Sequence, residues 1–268
     1  MDPDTATLQA ASTPVCAIGM PTLFVHSLSK SFTLHTIDGR HVEALRGINI
    51  EIHPGEHVAL AGSSGAGKSS LLKCIYRTYE PTSGSVFLRL RNGENVDLTQ
   101  VSDQEMAFYR GRDIGYVSQF LRAEPRRGPL DIVTRAGVSR GMDRETAREA
   151  AVVSLRRLNI DEKLWDVHAS VLSGGEKQRI NLAAGTISAP QLLLLDEPVS
   201  ALDPNNREAA LDLIGDLASH GVAVLAVFHD LEAMKRLASR IVLMRNGQVE
   251  MNGTPEDVLK VLAEGVPS

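Results

Sequence analysis

The sequence predicts an α/β fold: a mostly parallel sheet wrapped by helices, with an antiparallel β-lobe near the start and an inserted α-helical subdomain. Three observations predict it. Short apolar runs at Leu192 to Leu195, Val222 to Phe228 and Ile241 to Met244 are separated by the helical stretches Asn205 to Ala218 and Leu231 to Ser239, the order that builds parallel strands joined by crossover helices. Two β-rich segments, Thr22 to Thr33 and His41 to Ile52, flank Ile37-Asp38-Gly39-Arg40, and an Asp-Gly pair between such segments signals a hairpin. From Leu130 to Leu172 the spacing turns helical, carried by Thr134, Ala147, Ala151, Leu155 and Leu158 between Gly and Pro punctuation.

The other elements follow in order. Glu56 to Ala61 is a short apolar strand, Gly62 to Gly67 is a glycine-rich loop, and Lys68 to Tyr79 has helical spacing. Val86 to Leu90 and Ile114 to Val117 are further strands, the second running into Ser118 and Gln119. Residues 1–21, rich in Ala, Thr, Asp and Pro, read as a loose extension, residues 22–263 as a single domain with the helical insertion at about 120–180, and 264–268 as a tail.

Composition narrows the function. The 28 basic and 33 acidic residues leave a net charge of −5, which gives no global support to a nucleic-acid partner held by a basic face. Aromatic residues make up 4%, with Trp165 the one tryptophan, so platforms for stacking single-stranded bases are few. Cys16 and Cys74 suit neither a disulfide framework nor a CxxC metal site. No apolar run approaches the ~18 residues that cross a bilayer, and no Lys or Arg precedes Lys30 where a secretory signal needs a basic start. The expectation is a cytoplasmic protein without direct membrane insertion.

Chemistry concentrates in three motifs. Gly62-Ser63-Ser64-Gly65-Ala66-Gly67-Lys68-Ser69, followed by Ser70, fits GxxxxGK[ST] between a strand and a helix. Its glycines permit positive φ, so consecutive amides can surround a phosphate at a helix N-terminus. Lys68 adds charge at the β- and γ-phosphates and the Ser69 hydroxyl can ligate Mg²⁺. The run Leu192-Leu193-Leu194-Leu195-Asp196-Glu197 ends a buried strand in two carboxylates, where ligands bind in α/β folds. Asp196 is expected to hold Mg²⁺ through a bound water and Glu197 to polarise the attacking water. In Leu172-Ser173-Gly174-Gly175-Glu176-Lys177-Gln178-Arg179, Ser173 sits where a helix cap would, and Gly174 and Gly175 keep side chains away from the helix start.

Together these motifs resemble the ABC-type ATPases, implying an ABC-type P-loop NTPase core around the third, signature motif; Glu176 departs from the commoner Gln. The resemblance covers about residues 22 to 263. It implies that ATP and Mg²⁺ are the cofactors. It also implies that Gln119 senses Mg²⁺ and the reacting water, that Ser200-Ala201-Leu202-Asp203 forms the loop placing Asp203 near nucleotide, and that His229 contacts the γ-phosphate. Phe32 is the candidate for stacking on adenine. Ser173, Gly174 and Gly175 of a second ABC subunit, in a homodimer or a heterodimer, would complete each site.

Within the family, Gly115-Tyr116-Val117-Ser118-Gln119-Phe120-Leu121-Arg122 with Pro125-Arg126, Leu158-Asn159-Ile160 with Leu164-Trp165, and Phe228-His229-Asp230 look like the L-type subunits of the carbon–phosphorus lyase system. That likeness implies phosphonate catabolism, acting with the subunits that couple a phosphonate to the ATP ribose, and association with the lyase core and its K-type ABC subunit. Arg122, Arg126 and Arg127 form a candidate docking cluster. A transporter ATPase of lipoprotein-release or macrolide-export type is the alternative. A nonhydrolysing nucleotide-binding scaffold is disfavoured by the presence of Lys68, Glu197 and His229.

Overall fold

The computed structural model describes residues 19–34, 40–118 and 126–264. In chain order these form β1 (Leu23–Leu34), β2 (Arg40–Ile52), β3 (His57–Ala61), α1 (Lys68–Ile75), β4 (Ser83–Arg89), β5 (Asn95–Asp97), α2 (Asp103–Arg112) and β6 (Ile114–Val117). There follow α3 (Pro129–Ser139), α4 (Arg144–Arg157), α5 (Gly174–Thr186), β7 (Leu192–Asp196), α6 (Pro204–Ser219), β8 (Ala223–Val227), α7 (Leu231–Leu237), β9 (Arg240–Arg245), β10 (Gln248–Gly253) and α8 (Pro255–Glu264).

Two sheets result. The antiparallel lobe has the order β2-β1-β4-β5, and the central sheet the order β10-β9-β3-β8-β7-β6. β9, β3, β8, β7 and β6 run parallel, and β10 adds an antiparallel edge. Alternate residues of the parallel strands feed two cores on opposite faces: Leu193, Leu195, Val224 and Ala226 point to one, Leu192, Leu194, Leu225 and Val227 to the other. Burial on both faces explains why these strands read as unbroken apolar runs.

The departures from the sequence-based expectations have local causes. The helix predicted over Lys68 to Tyr79 ends at Ile75 because Arg77 takes a left-handed φ of 57° and Thr78 N–H donates back to the Lys73 carbonyl. Hydrophobic spacing does not predict helix α2, which buries only Met106 and so lacks an apolar stripe; its local signal is the Ser102/Glu105 capping box. The β9–β10 hairpin turns on Asn246-Gly247, with φ of 51° and 77°, the Asn-Gly chemistry of a tight hairpin. That turn also ties the two sheets together, since Arg46 N–H donates to the Gly247 carbonyl at 2.8 Å. Ile37-Asp38-Gly39, expected to form the hairpin turn, lies outside the described residues, as do Cys16, the other residues before 19 and those after 264.

His57, at the start of β3, is buried against Phe228, and among the described residues neither ring nitrogen has a hydrogen-bond partner. Burial pushes its pKa down to about 4. The unfolded chain therefore takes up a proton near pH 6.5 that the folded chain refuses until about pH 4, and stability is lost as pH falls through that window. We expect His57→Leu to remove roughly 3 kcal/mol of this acid sensitivity, read as a flatter dependence of urea-unfolding free energy on pH between 4 and 7 than in the parent.

Candidate functional site

The carboxyl ends of four neighbouring parallel strands open on one edge of the central sheet. β3 leads into the 62–67 loop, β7 into Asp196 and Glu197, β8 into His229, and β6 toward Gln119, which lies outside the described residues. A cavity of about 220 Å³ sits at this edge, lined by residues 64–70, β2 residues 42–44, Glu197 and His229.

The loop is built from glycine for steric reasons. Gly62 (φ 137°) passes so close to the Met244 carbonyl that a Cβ would lie 2.2 Å from its oxygen, and at Gly67 (φ 102°) a Cβ would lie 2.5 Å from the Ala44 carbonyl oxygen. No side chain fits either position. Lys68 is buried, and its ammonium donates to the Gly62 and Ser63 carbonyls at 2.7 and 2.9 Å, which pins it across the loop. Burial draws its pKa below the usual lysine value, while the Glu197 and Asp196 carboxylates pull the other way.

Asp196 is buried at the end of β7; one carboxylate oxygen accepts from the Ser69 hydroxyl at 2.8 Å and the other from the Tyr116 hydroxyl at 3.4 Å. No cluster of three metal-ligating His, Cys, Asp or Glu occurs among the described residues. One hydroxyl beside one carboxylate nevertheless fits Mg²⁺, which takes few protein ligands and completes its shell with phosphate and water oxygens. Glu197 follows in the left-handed region at φ 54°, and its Oε1 lies 2.8 Å from His229 Nε2.

Ser173 caps α5 in a full capping box: its hydroxyl accepts from Glu176 N–H, and the Glu176 carboxylate accepts from the Ser173 N–H at 2.7 Å and hydroxyl at 2.8 Å. The departure at Glu176 thus places a carboxylate on the helix start, and the Ser173 hydrogen bonds hold its pKa below the usual carboxylate value. A Cβ on Gly174 would meet only open space, whereas on Gly175 it would lie 3.1 Å from the Ala201 carbonyl oxygen. Gly174 leaves the helix start clear; Gly175 lets α5 touch the loop after β7.

Two expected residues take local partners. Asp203 caps α6, and both its carboxylate oxygens accept from Asn206, one from the backbone N–H and one from the side-chain amide. Half-buried Phe32 stands opposite Val42, a residue lining the cavity. Its ring packs edge-on against Tyr79, with the Lys30 ammonium 4.9 Å from its centre. Sequence reasoning assigned no role to Tyr116 or Gln178, although both stand within quoted motifs; their burial and partners are products of packing.

A phosphate loop, an acidic strand end and a capped glycine helix on this α/β core define an ATP-binding cassette. The chain belongs to the ABC transporter family, whose model matches residues 45–200. It is 34% identical over 250 residues to the phosphonates import ATP-binding protein PhnC of Bdellovibrio bacteriovorus, covering 90% of this chain and 91% of the relative. It is 36% identical over 230 residues to the lipoprotein-releasing system ATP-binding protein LolD of Shewanella oneidensis, covering 85% and 96%. Among solved structures it resembles a dimeric post-hydrolysis state of an ATP-binding cassette bound to ADP and Pi, with a TM-score of 0.79, 27% identity and coverage of 87% and 98%. Members of this family bind ATP with Mg²⁺, generally hydrolyse it, and work as dimers with other subunits. No helix among the described residues is long and apolar enough to cross a membrane.

Proposed function

We propose that this chain is an ATP-hydrolysing ABC subunit of the carbon–phosphorus lyase system, of the PhnL type, serving phosphonate catabolism from the cytoplasm. In this reading residues 22–263 form one ATPase domain. The amides of residues 62–70 and Lys68 hold the phosphates, Ser69 and Asp196 hold Mg²⁺, Phe32 stacks on adenine after Lys30 swings aside, and Glu197 polarises the attacking water beside His229. Mg²⁺ supplies neutralising charge on the phosphates. Gln119 senses the ion and water, and Ser173 to Gly175 with Asp203 contribute from a second ABC subunit.

The observation that carries the ATPase part is the convergence of two pairs on one strand edge: Ser69 with Asp196 and His229 with Glu197, each at 2.8 Å. What supports the lyase assignment is the likeness of the stretches at 115–126, 158–165 and 228–230 to L-type subunits; the residues that follow Arg126 pack on the second of them. The Trp165 carbonyl accepts from Leu130 N–H at 3.2 Å, and a Cβ on Gly128 would lie 2.3 Å from that carbonyl oxygen. The Arg127 carbonyl accepts from Ala169 N–H, and the indole N–H of Trp165 donates to the Ile160 carbonyl at 3.1 Å. Residues 127–130, just after Arg126, are therefore held against the segment from Trp165 to Ala169.

The arginine cluster is less uniform than its sequence suggests. Arg126 is exposed, Arg127 is ion-paired with Asp131 at 2.5 Å, and Arg122 lies outside the described residues. Reversing charge at Arg122, Arg126 and Arg127 is expected to weaken recovery of soluble lyase-core subunits and to steepen its loss with salt, leaving ATP binding unchanged. Transport is the second reading, favoured by relatives named for phosphonate import and lipoprotein release. Growth of the deletion strain on a phosphonate as sole phosphorus source, with co-purification of the tagged chain, separates the two. Failure to grow and recovery of lyase subunits support the first; normal growth and recovery of a membrane permease support the second.

A further inference from the structure

Gln178 is buried in the second turn of α5, and both ends of its carboxamide are engaged by the loop after β7. Nε2 donates to the Glu197 carbonyl, and Oε1 accepts from Ala201 N–H at 3.1 Å. The Ser200 hydroxyl donates to the same Glu197 carbonyl at 3.2 Å, and Glu197 N–H donates to the Val227 carbonyl at 3.1 Å. Gly175, three residues earlier and so on the same face of the helix, gives α5 its close approach to Ala201.

These contacts bear on the one unusual backbone conformation in the acidic motif. A left-handed conformation is strained for a non-glycine residue and persists only where its surroundings hold it. At Glu197 the N–H is tied to β8, while the carbonyl is held by two donors. Relaxing φ from 54° to the common region would turn that carbonyl off Gln178 and swing the carboxylate away from His229.

We infer that Gln178 is a positioning residue for ATP hydrolysis: through the Glu197 carbonyl and the Ala201 amide it fixes the backbone from which the Glu197 carboxylate is aimed. The inference rests on the reading of Glu197 as the group that polarises water. It makes α5 a rigid link, because the helix that carries Ser173 to Gly175 at its start also holds the glutamate of its own subunit.

The test compares Gln178→Met, which keeps length without hydrogen bonds, and Gln178→Glu, which keeps the acceptor for Ala201 N–H but sets an oxygen against the Glu197 carbonyl. Single-turnover hydrolysis, ATP affinity and the ATP-bound dimer fraction are measured on the full chain, with Glu197→Gln alongside. Gln178→Met is expected to slow hydrolysis roughly 30- to 100-fold, the scale of a misplacement near 1 Å. ATP affinity should stay within about twofold, the dimer should accumulate, and the substitution should add no further slowing to Glu197→Gln. Hydrolysis within about twofold of the parent, or a rate loss matched by an equal loss of ATP affinity, overturns the inference. If Gln178→Met unfolds, the same criteria applied to Gln178→Glu decide. Parental turnover in Glu197→Gln overturns the underlying role of Glu197 and the inference with it, whereas an inactive Glu197→Gln beside a fully active Gln178 variant overturns the inference alone.

Discussion

Glu197→Gln is expected to bind ATP as tightly as the parent and to turn it over at least about 100-fold more slowly, the lower range for loss of a positioned general base. The amide keeps the shape of the carboxylate and can still pair with His229, which lies 2.8 Å away, so the backbone and the loop have no reason to move. What disappears is the negative charge that draws a proton from the attacking water. The Ser69–Asp196 pair and the Lys68 contacts with the loop carbonyls are untouched. Nucleotide held between two subunits without being cleaved should therefore stabilise the closed dimer. Sedimentation with ATP and Mg²⁺, together with turnover followed as a function of protein concentration, provides the check. Turnover unchanged in the variant, or independent of concentration through the dimerisation range, would contradict the composite-site reading. Parental activity that is absent under all conditions while ATP still binds would favour the scaffold.

Lys68→Ala should instead weaken binding itself, by roughly 10- to 100-fold, since a hydrogen bond from a charged donor is worth about 1.5–3 kcal/mol. Two losses combine. The ammonium no longer meets the phosphates, and the Gly62 and Ser63 carbonyls lose the donor that draws the loop around them. Because Lys68 is buried beside Glu197 and Asp196, its removal also takes one positive charge away from beside two carboxylates near the phosphates. Titration with a fluorescent ATP analogue measures the effect, and circular dichroism confirms the fold. An unchanged dissociation constant would remove Lys68 from the phosphate site. The contrast between the two substitutions, one sparing affinity and the other sparing nothing, separates chemistry from binding.

Much of this molecule is legible one segment at a time. The apolar runs from Leu192 and Val222 specify strands buried on both faces, the glycines at 62 and 67 specify a loop with no room for side chains, and Ser173 with Glu176 specifies a capped helix. Each is a property of a few consecutive residues, so local propensity and sterics suffice. Helix α2 and strand β10 carry no buried apolar run, and their local signals are a capping box and the Asn246-Gly247 turn pair.

Tertiary structure decided which of these segments meet. The order β3-β8-β7 inserts the last strand of the three between the other two, and only that insertion brings His229 to Glu197 across 32 positions of sequence and sets both beside the loop that follows β3. Periodicity carries no information about strand order, because every parallel strand here presents apolar residues to both cores and exchanging two of them leaves the pattern unchanged. Gln178 is the sharper case. In the sequence it is one polar residue in a polar helix start, and its function follows from burial against a left-handed Glu197, a conformation and a contact that exist only once α5 has packed on the loop after β7.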